Sequence, residues 1–230
     1  MEQIYVKNLF NKIAKRYDLL NHLLSFGIDK YWRWRAVKLI SKNNPKLILD
    51  LATGTGDFAI ALNKINPEKI IGVDLSENMI ECGIQKIKKL QLSNKIIFET
   101  GHAEKLRFDD NYFDAITVGF GVRNYENLNL GLKEMFRVLK NGGVTAILEF
   151  SKPKNFPFKQ IYFFYFRNIL PLVGRIISKD SVAYQYLPDT VLNFPEGEDF
   201  IKHLKSVGFT RIKEKRLTFG ICTIYLGFKD

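Results

Sequence analysis

Apolar residues recur at helical spacing near the start of the chain, where Val6, Leu9, Phe10, Ile13, Ala14 and Tyr17 fall on one stripe. Residues 1–44 therefore read as helical, with a polar and aromatic linker, DLLNHLLSFGIDKYWRWR, leading to the core. From Pro45 the pattern changes to short apolar runs bounded by turn residues. LILDLA, IIGVDLS, IIFETGHAE, FDAITVGFGV and VTAILEF each hold a strand. Between them DFAIALNKI, SENMIECGIQKIKKL and LNLGLKEMFRVLK have helical period, with Ser76 the expected N-cap of the second and Asn141-Gly142-Gly143 the expected stop of the third. EDFIKHLKSVGF predicts a further helix, and RIKEKRLTFG and ICTIYLGFK two closing strands in a hairpin.

Strands alternating with helices imply an α/β fold, a mostly parallel sheet covered by helices on both faces. Ligands in such folds bind at the carboxyl ends of the strands, so the residues just after each strand carry the chemistry. Four parts follow along one domain, 1–230: a helical flap (1–44), a ligand-binding core (45–150), an insertion (151–195) and a closing helix with its hairpin (196–230). Within the insertion, residues 156–178 are densely aromatic and carry Lys159, Arg167, Pro171 and Arg175.

With 230 residues, 46% of them hydrophobic, the chain can bury one sizeable core. Two isolated cysteines, Cys82 and Cys222, and three scattered histidines argue against a disulfide framework or a structural metal, and fit a reducing cytoplasm. No run of about 18 uncharged apolar residues occurs, so no spanning helix is expected. A net charge of +11 favours an anionic partner, whether nucleic acid, an acidic membrane surface or an acidic substrate; lysine used only for solubility explains it equally well.

GTGDFA, residues 54–59, fits G-x-G-x-x-A between a strand and a helix, and Asp74 lies 18 residues beyond Gly56 at the end of the next strand. That loop suits a nicotinamide dehydrogenase or an S-adenosylmethionine enzyme. A dinucleotide brings a pyrophosphate to the helix N-terminus, where Asp50 and Asp57 would repel it. S-adenosylmethionine brings a sulfonium and an ammonium, which flanking acids suit. A plain helix cap is the bland reading of Asp57.

LDLATGTGD, GVDLSENMI, FGVRN, RVLKNGG and LEFSKP, in this order, resemble a Rossmann-like class I methyltransferase, which implies a seven-stranded sheet. FNKIAKRYDLLNHLLSFGIDKYWRW and YLPDTVLNFPEGEDFIKHLKSVGF narrow the resemblance to the UbiE/COQ5 family of quinone-biosynthesis C-methyltransferases. The resemblance implies S-adenosyl-L-methionine as cofactor, with Gly54, Thr55 and Gly56 under its amino-acid end, Asp74 on its ribose, and His102 and Ala103 at its adenine. His102 stands where that family usually has Asn or Asp, and Gly119 where it often has Ser.

The implied substrate is a reduced, demethylated isoprenoid quinone: demethylmenaquinol, with the ubiquinone-pathway benzoquinol as the alternative. Arg123 would stabilise the ring oxygen that gains charge, and Asn124 would orient it. Asp57, Tyr17 or Asp18 would relay the proton. The alternative for Arg123 is a salt bridge pinning the flap to the core. Trp32, Arg33, Trp34 and Arg35 suit either a lid or an RNA surface, and the lid fits an enzyme that excludes water. Residues 156–178 suit transient contact with the inner face of a membrane, a hydrophobic cover on the sheet, or a homodimer contact. No nucleic-acid partner is expected, although the charge keeps an RNA methyltransferase as a rival.

Overall fold

The structure, a computed structural model, describes residues 3–169 and 181–230. Its sheet is built from β1 (Leu47–Leu51), β2 (Lys69–Asp74), β3 (Ile96–Thr100), β4 (Phe113–Gly119), β5 (Leu139–Phe150), β6 (Thr210–Leu217) and β7 (Cys222–Phe228). Their order is 3-2-1-4-5-7-6. β1 to β5 pair in parallel, and β7 runs antiparallel to both β5 and β6. The mostly parallel, seven-stranded sheet and the closing hairpin are thus as the sequence implies. The order reverses between β1 and β4, so the crevice outside their carboxyl ends is where a ligand fits.

Helices cover both faces. On one side α2 (Ile28–Ile40), α3 (Asp57–Leu62) and α4 (Glu77–Lys89) pack Trp32, Ile40, Phe58 and Ile87 against Ile48 and Ile70. On the other, α5 (Leu128–Val138) and a helix at Glu198–Ser206 pack Leu132, Met135, Phe200 and Leu204 against Leu49 and Ile116. Neighbouring residues of β1 therefore feed opposite cores, which explains why its run LILDL is apolar throughout. Ser76 caps α4 as expected, its hydroxyl accepting from Met79 N at 3.2 Å.

Two local expectations differ. The linker is not irregular: α1 (Gln3–Leu24) continues through YDLLNHLL, and α2 begins at Ile28 after a turn with Gly27 at φ 73°. WRWRAVKLI is helical because Trp32, Ala36, Val37 and Ile40 share its buried face while Trp34 stays exposed. The Asn141-Gly142-Gly143 stop is also displaced. α5 ends at Val138, Leu139 is already extended, and the Asn-Gly-Gly run lies inside β5. Gly142 N donates to Lys229 O at 2.7 Å, so pairing with the distant C-terminal strand holds this stretch in the sheet.

The insertion contains α6 (Phe158–Phe164), a π-helical turn (Tyr165–Ile169) and α7 (Ser181–Asn193), and the helix at Glu198–Ser206 becomes α8. Pro171 and Arg175 lie outside the described residues. No described helix is long and apolar enough to cross a membrane.

Candidate active site

The glycine loop turns sharply between β1 and α3. Gly56 sits at φ 85°, and a Cβ there would fall 2.2 Å from Phe98 Cζ, so only glycine fits. Gly54 N donates to Asp74 Oδ2 at 2.7 Å, and Ser76 N to Asp74 Oδ1 at 2.9 Å. Two backbone donors fix this carboxylate at the end of β2 and leave lone pairs for a ligand. Burial pushes its carboxyl up, and the backbone hydrogen bonds offset part of that rise.

Asp74 lines a solvent-open cleft of about 770 Å³ with Gly54, His102, Ala103, Asn124 and Tyr17. Six of the ten residues assigned from sequence meet there. Thr55 and Gly56 support the loop without lining it. His102 Nδ1 accepts from Glu104 N at 3.0 Å, which fixes its ring at the cleft. At Gly119 a Cβ would lie 2.9 Å from Phe58, so a serine there would displace a buried ring.

Asp57 points elsewhere. Its carboxylate meets Lys86 Nζ at 2.8 Å, Arg33 Nη2 at 3.1 Å and His22 Nε2 at 3.4 Å. Burial raises its carboxyl, but Arg33, Lys86 and His22 outweigh burial and hold it below the ordinary range. Lys86 also meets Asp18 at 2.6 Å, and Asp18 accepts from the Thr55 hydroxyl. Asp57 opens α3 without a side-chain capping bond. The ion pairs that pin the flap to the core thus run through Asp57, Lys86 and Asp18, and through Lys7 and Glu77, not through Arg123. His22, Asp29 and Asp57 bring ligand-type atoms within 4.8 Å of one another, yet Arg33 hydrogen-bonds both carboxylates and already supplies the positive charge.

Asp50 and Asp57 are therefore not what would repel a diphosphate at the loop. Asp57 is balanced by cations. Asp50 is fully buried, accepts from Thr53 and Thr117 hydroxyls at 2.6 Å each, and is pushed up to about 6 by burial. What disfavours a diphosphate is the cleft lining itself. Lys7 is its sole Lys or Arg among the described residues and is bonded to Glu77, whereas Asp74 and Glu104 bring carboxylates.

Behind the cleft lies a second, larger space of about 1590 Å³, open to solvent at its mouth, bounded by α1, α2, α6 and the β5 end, and walled mainly by aromatic and aliphatic side chains. Phe10, Tyr17 and Phe120 line both spaces and form the partition between them. Arg123 lines the second cavity. Its Nη1 donates to Glu149 Oε1 at 2.7 Å and to Phe120 O, and its guanidinium lies 5.5 Å from the Phe150 ring centre. Glu149 is fully buried at the end of β5; burial raises its carboxyl, and Arg123 offsets part of that. Asn124 Oδ1 accepts from the Tyr186 hydroxyl at 2.7 Å, so its amide is anchored between α7 and the turn after β4. Burial raises the Tyr17 phenol, which keeps it a donor at neutral pH.

Glu149 and Tyr186 are absent from the residues assigned by sequence. Glu149 carried a signal: a lone carboxylate within the apolar run VTAILEF, one residue before the carboxyl end of β5, the end of the strand near which ligands bind.

The sequence model of the ubiE/COQ5 methyltransferase family matches residues 1–229. A demethylmenaquinone methyltransferase of Bacteroides fragilis is 49% identical over 225 residues, 97% of this chain and 92% of the relative. A ubiquinone/menaquinone biosynthesis C-methyltransferase of Geobacter sulfurreducens is 46% identical over 226 residues, 97% of this chain and 88% of the relative. Among solved structures, a putative S-adenosyl-L-methionine-dependent methyltransferase of Methanococcus maripaludis superposes with a TM-score of 0.66 at 22% identity, covering 95% of this chain and 93% of that one.

Proposed function

The chain belongs to the ubiE/COQ5 methyltransferase family, and on that premise we propose that it methylates a ring carbon of demethylmenaquinol with S-adenosylmethionine as donor. The observation that carries this reading is the pair of cavities sharing one partition. An acid-lined cleft beside the glycine loop backs onto an apolar, aromatic cavity whose wall presents Arg123.

The cleft fits the donor. Asp74 offers acceptor lone pairs to a ribose diol, Gly54 leaves room at the loop, and Glu104 and Asp74 suit positive charge. His102 and Ala103 face the same cleft and would border the adenine. When bound, S-adenosylmethionine supplies an electrophilic methyl group on a sulfonium.

In the second cavity the residues act on the quinol. Aromatic walls hold a planar ring and exclude water. The Arg123 guanidinium beside a ring hydroxyl lowers that hydroxyl's pKa and stabilises the phenolate. Tyr17, kept protonated, stands at the partition where the two ligands meet. The ring carbon held there would take the methyl group, leaving the demethylated donor in the cleft, and would release its own proton to water as the ring regains aromaticity. Asp57 has no part in this scheme, because Arg33 and Lys86 occupy its oxygens outside both cavities.

A second substrate is motivated by the Geobacter relative, whose name covers both pathways: the demethylated benzoquinol. The polyprenyl tail of either quinol resides in a bilayer, so we place the enzyme in the cytoplasm with peripheral contact at the inner face of the cell membrane. The test is transfer of labelled methyl to chemically reduced short-tailed demethylmenaquinone and the demethylated benzoquinone in parallel. Transfer to the naphthoquinol is expected. Transfer to neither, with donor binding intact, overturns the substrate.

A further inference from the structure

We infer that the mouth of the apolar cavity is a docking surface for a bilayer containing anionic phospholipid, an inference that rests on the quinol reading and names the partner of that same site. The chain exposes large apolar side chains from three separate segments around this mouth: Phe26 (80% exposed) in the α1–α2 turn, Phe156 (80%), Ile161 (60%) and Phe164 (62%) in and before α6, and Phe219 (66%) in the β6–β7 turn. Single exposed apolar residues need no explanation, but a gathered set does.

Contacts between the segments show that they converge. The Tyr165 hydroxyl donates to Leu24 O at 2.7 Å, the Phe26 and Tyr165 rings lie 6.5 Å apart, and Phe158 stacks on Phe219 at 3.7 Å. Phe26, Phe158 and Ile161 also line the cavity, so the exposed rim and the interior wall are one continuous apolar surface.

Backbone geometry is an independent observation. Phe26, Thr218 and Phe219 have φ of 51°, 47° and 56°. Aromatic and β-branched residues are disfavoured in this left-handed region, where glycine or asparagine would relax the turn. Two turns from different parts of the chain thus hold a phenylalanine outward at a conformational cost.

Charge decides the occupant. Residues 19–28, 150–169 and 218–224 contain no Asp or Glu, and the acids that flank them, Asp18, Asp29 and Glu149, are paired with Lys86, Arg33 and Arg123, while Lys30, Lys154 and Lys159 are exposed on or beside the same segments of a chain with net charge +11. A second copy would oppose these lysines to themselves. Anionic head groups would meet them, with the apolar rim entering the interface below. A tail leaving the cavity would then pass into the acyl region without crossing water.

The test is flotation of the full chain with vesicles of neutral phosphatidylcholine, alone or mixed with phosphatidylglycerol. Binding is expected to be at least tenfold stronger with the anionic lipid. Phe164→Gln combined with Phe219→Asn, neither in the cavity wall, should lower it tenfold or more while melting temperature and turnover of short-tailed quinol hold. Lys154→Gln with Lys159→Gln should remove most of the anionic preference, since each basic residue near such a surface contributes about fivefold. Unchanged vesicle binding in the aromatic variant overturns the inference. So does concentration-dependent self-association that this variant abolishes, without vesicle binding, which would make the face a contact between copies. Vesicle binding as expected with no methylation of short-tailed quinol would instead overturn the functional reading and leave the surface standing.

Discussion

Arg123 forms part of the cavity wall and is held from behind by Glu149, which is fully buried. Glu149 touches no ligand in this scheme; it is a positioning residue that fixes the guanidinium and tempers its field. Removing one partner of a buried pair costs roughly 3–5 kcal/mol, because the other charge is left uncompensated. Glu149→Gln should therefore destabilise the chain on that scale and lower kcat. A purely structural role would stop there. If the pair sets the ionisation of the quinol, Glu149→Gln also strengthens the positive field and moves the acid limb of the kcat–pH profile to lower pH. Arg123→Met moves it to higher pH. Limbs that coincide in both variants would refute the assignment. Asp50 makes a second residue-scale prediction. Burial raises its carboxyl from the ordinary 3.8 to about 6. Between those values the folded chain keeps a proton that the unfolded chain has released, so stability falls as pH rises through the window. The full effect is about 3 kcal/mol at most. Asp50→Asn should flatten that slope in urea unfolding at pH values bracketing the window, and an unchanged slope would place the effect elsewhere.

At the scale of elements, the flap is fastened by ions rather than by its apolar stripe alone. Lys86 on α4 reaches Asp18 on α1 and Asp57 on α3, and Arg33 on α2 reaches Asp57 from the other side. Lys86→Met should leave the sheet intact, cost no more than about 1–2 kcal/mol overall, and speed hydrogen exchange of α1 amides near Tyr17 about tenfold. Because the Asp57 carboxyl is held below its ordinary value, the stabilisation it brings is present above that value and lost as pH falls through and below it. Acid should loosen the flap before the core. Legibility divides along the same line. β1, β2, β4 and β5 were readable because each apolar run is set by burial on both sheet faces, β3 because Ile96 and Phe98 alternate into the core at the sheet edge, and Ser76 because a cap is local. The Asn141-Gly142-Gly143 run was misread because a local stop signal lost to pairing with Lys229, more than eighty residues away. Asp57 was misplaced for the same reason: its partners Arg33 and Lys86 come from two other helices. Gly54, Asp74, His102 and Ala103 reach the cleft because position after a strand is itself a sequence signal.

Across the whole molecule, the order of the sheet brings the ends of β1, β2 and β4 to one crevice, and the N-terminal flap closes it from above through Tyr17. A donor bound there touches the core and the flap together, so its binding free energy adds to the stability of the folded chain. At a hundredfold excess over Kd the stabilisation is about 2.7 kcal/mol. For a chain of this size each kcal/mol moves Tm by roughly 2–4 °C. Saturating S-adenosylmethionine should therefore raise Tm by about 5–10 °C. Asp74→Ala removes the proposed acceptor for the ribose and leaves Gly54 N and Ser76 N without their carboxylate partner. It should lose most of the ligand-dependent shift and begin from a lower Tm. Asp57→Asn should keep the shift, because its side chain faces the ion network and not the cleft. Equal losses in both variants would mean that the flap, not the ribose contact, governs donor binding, and would move Asp57 back into the site.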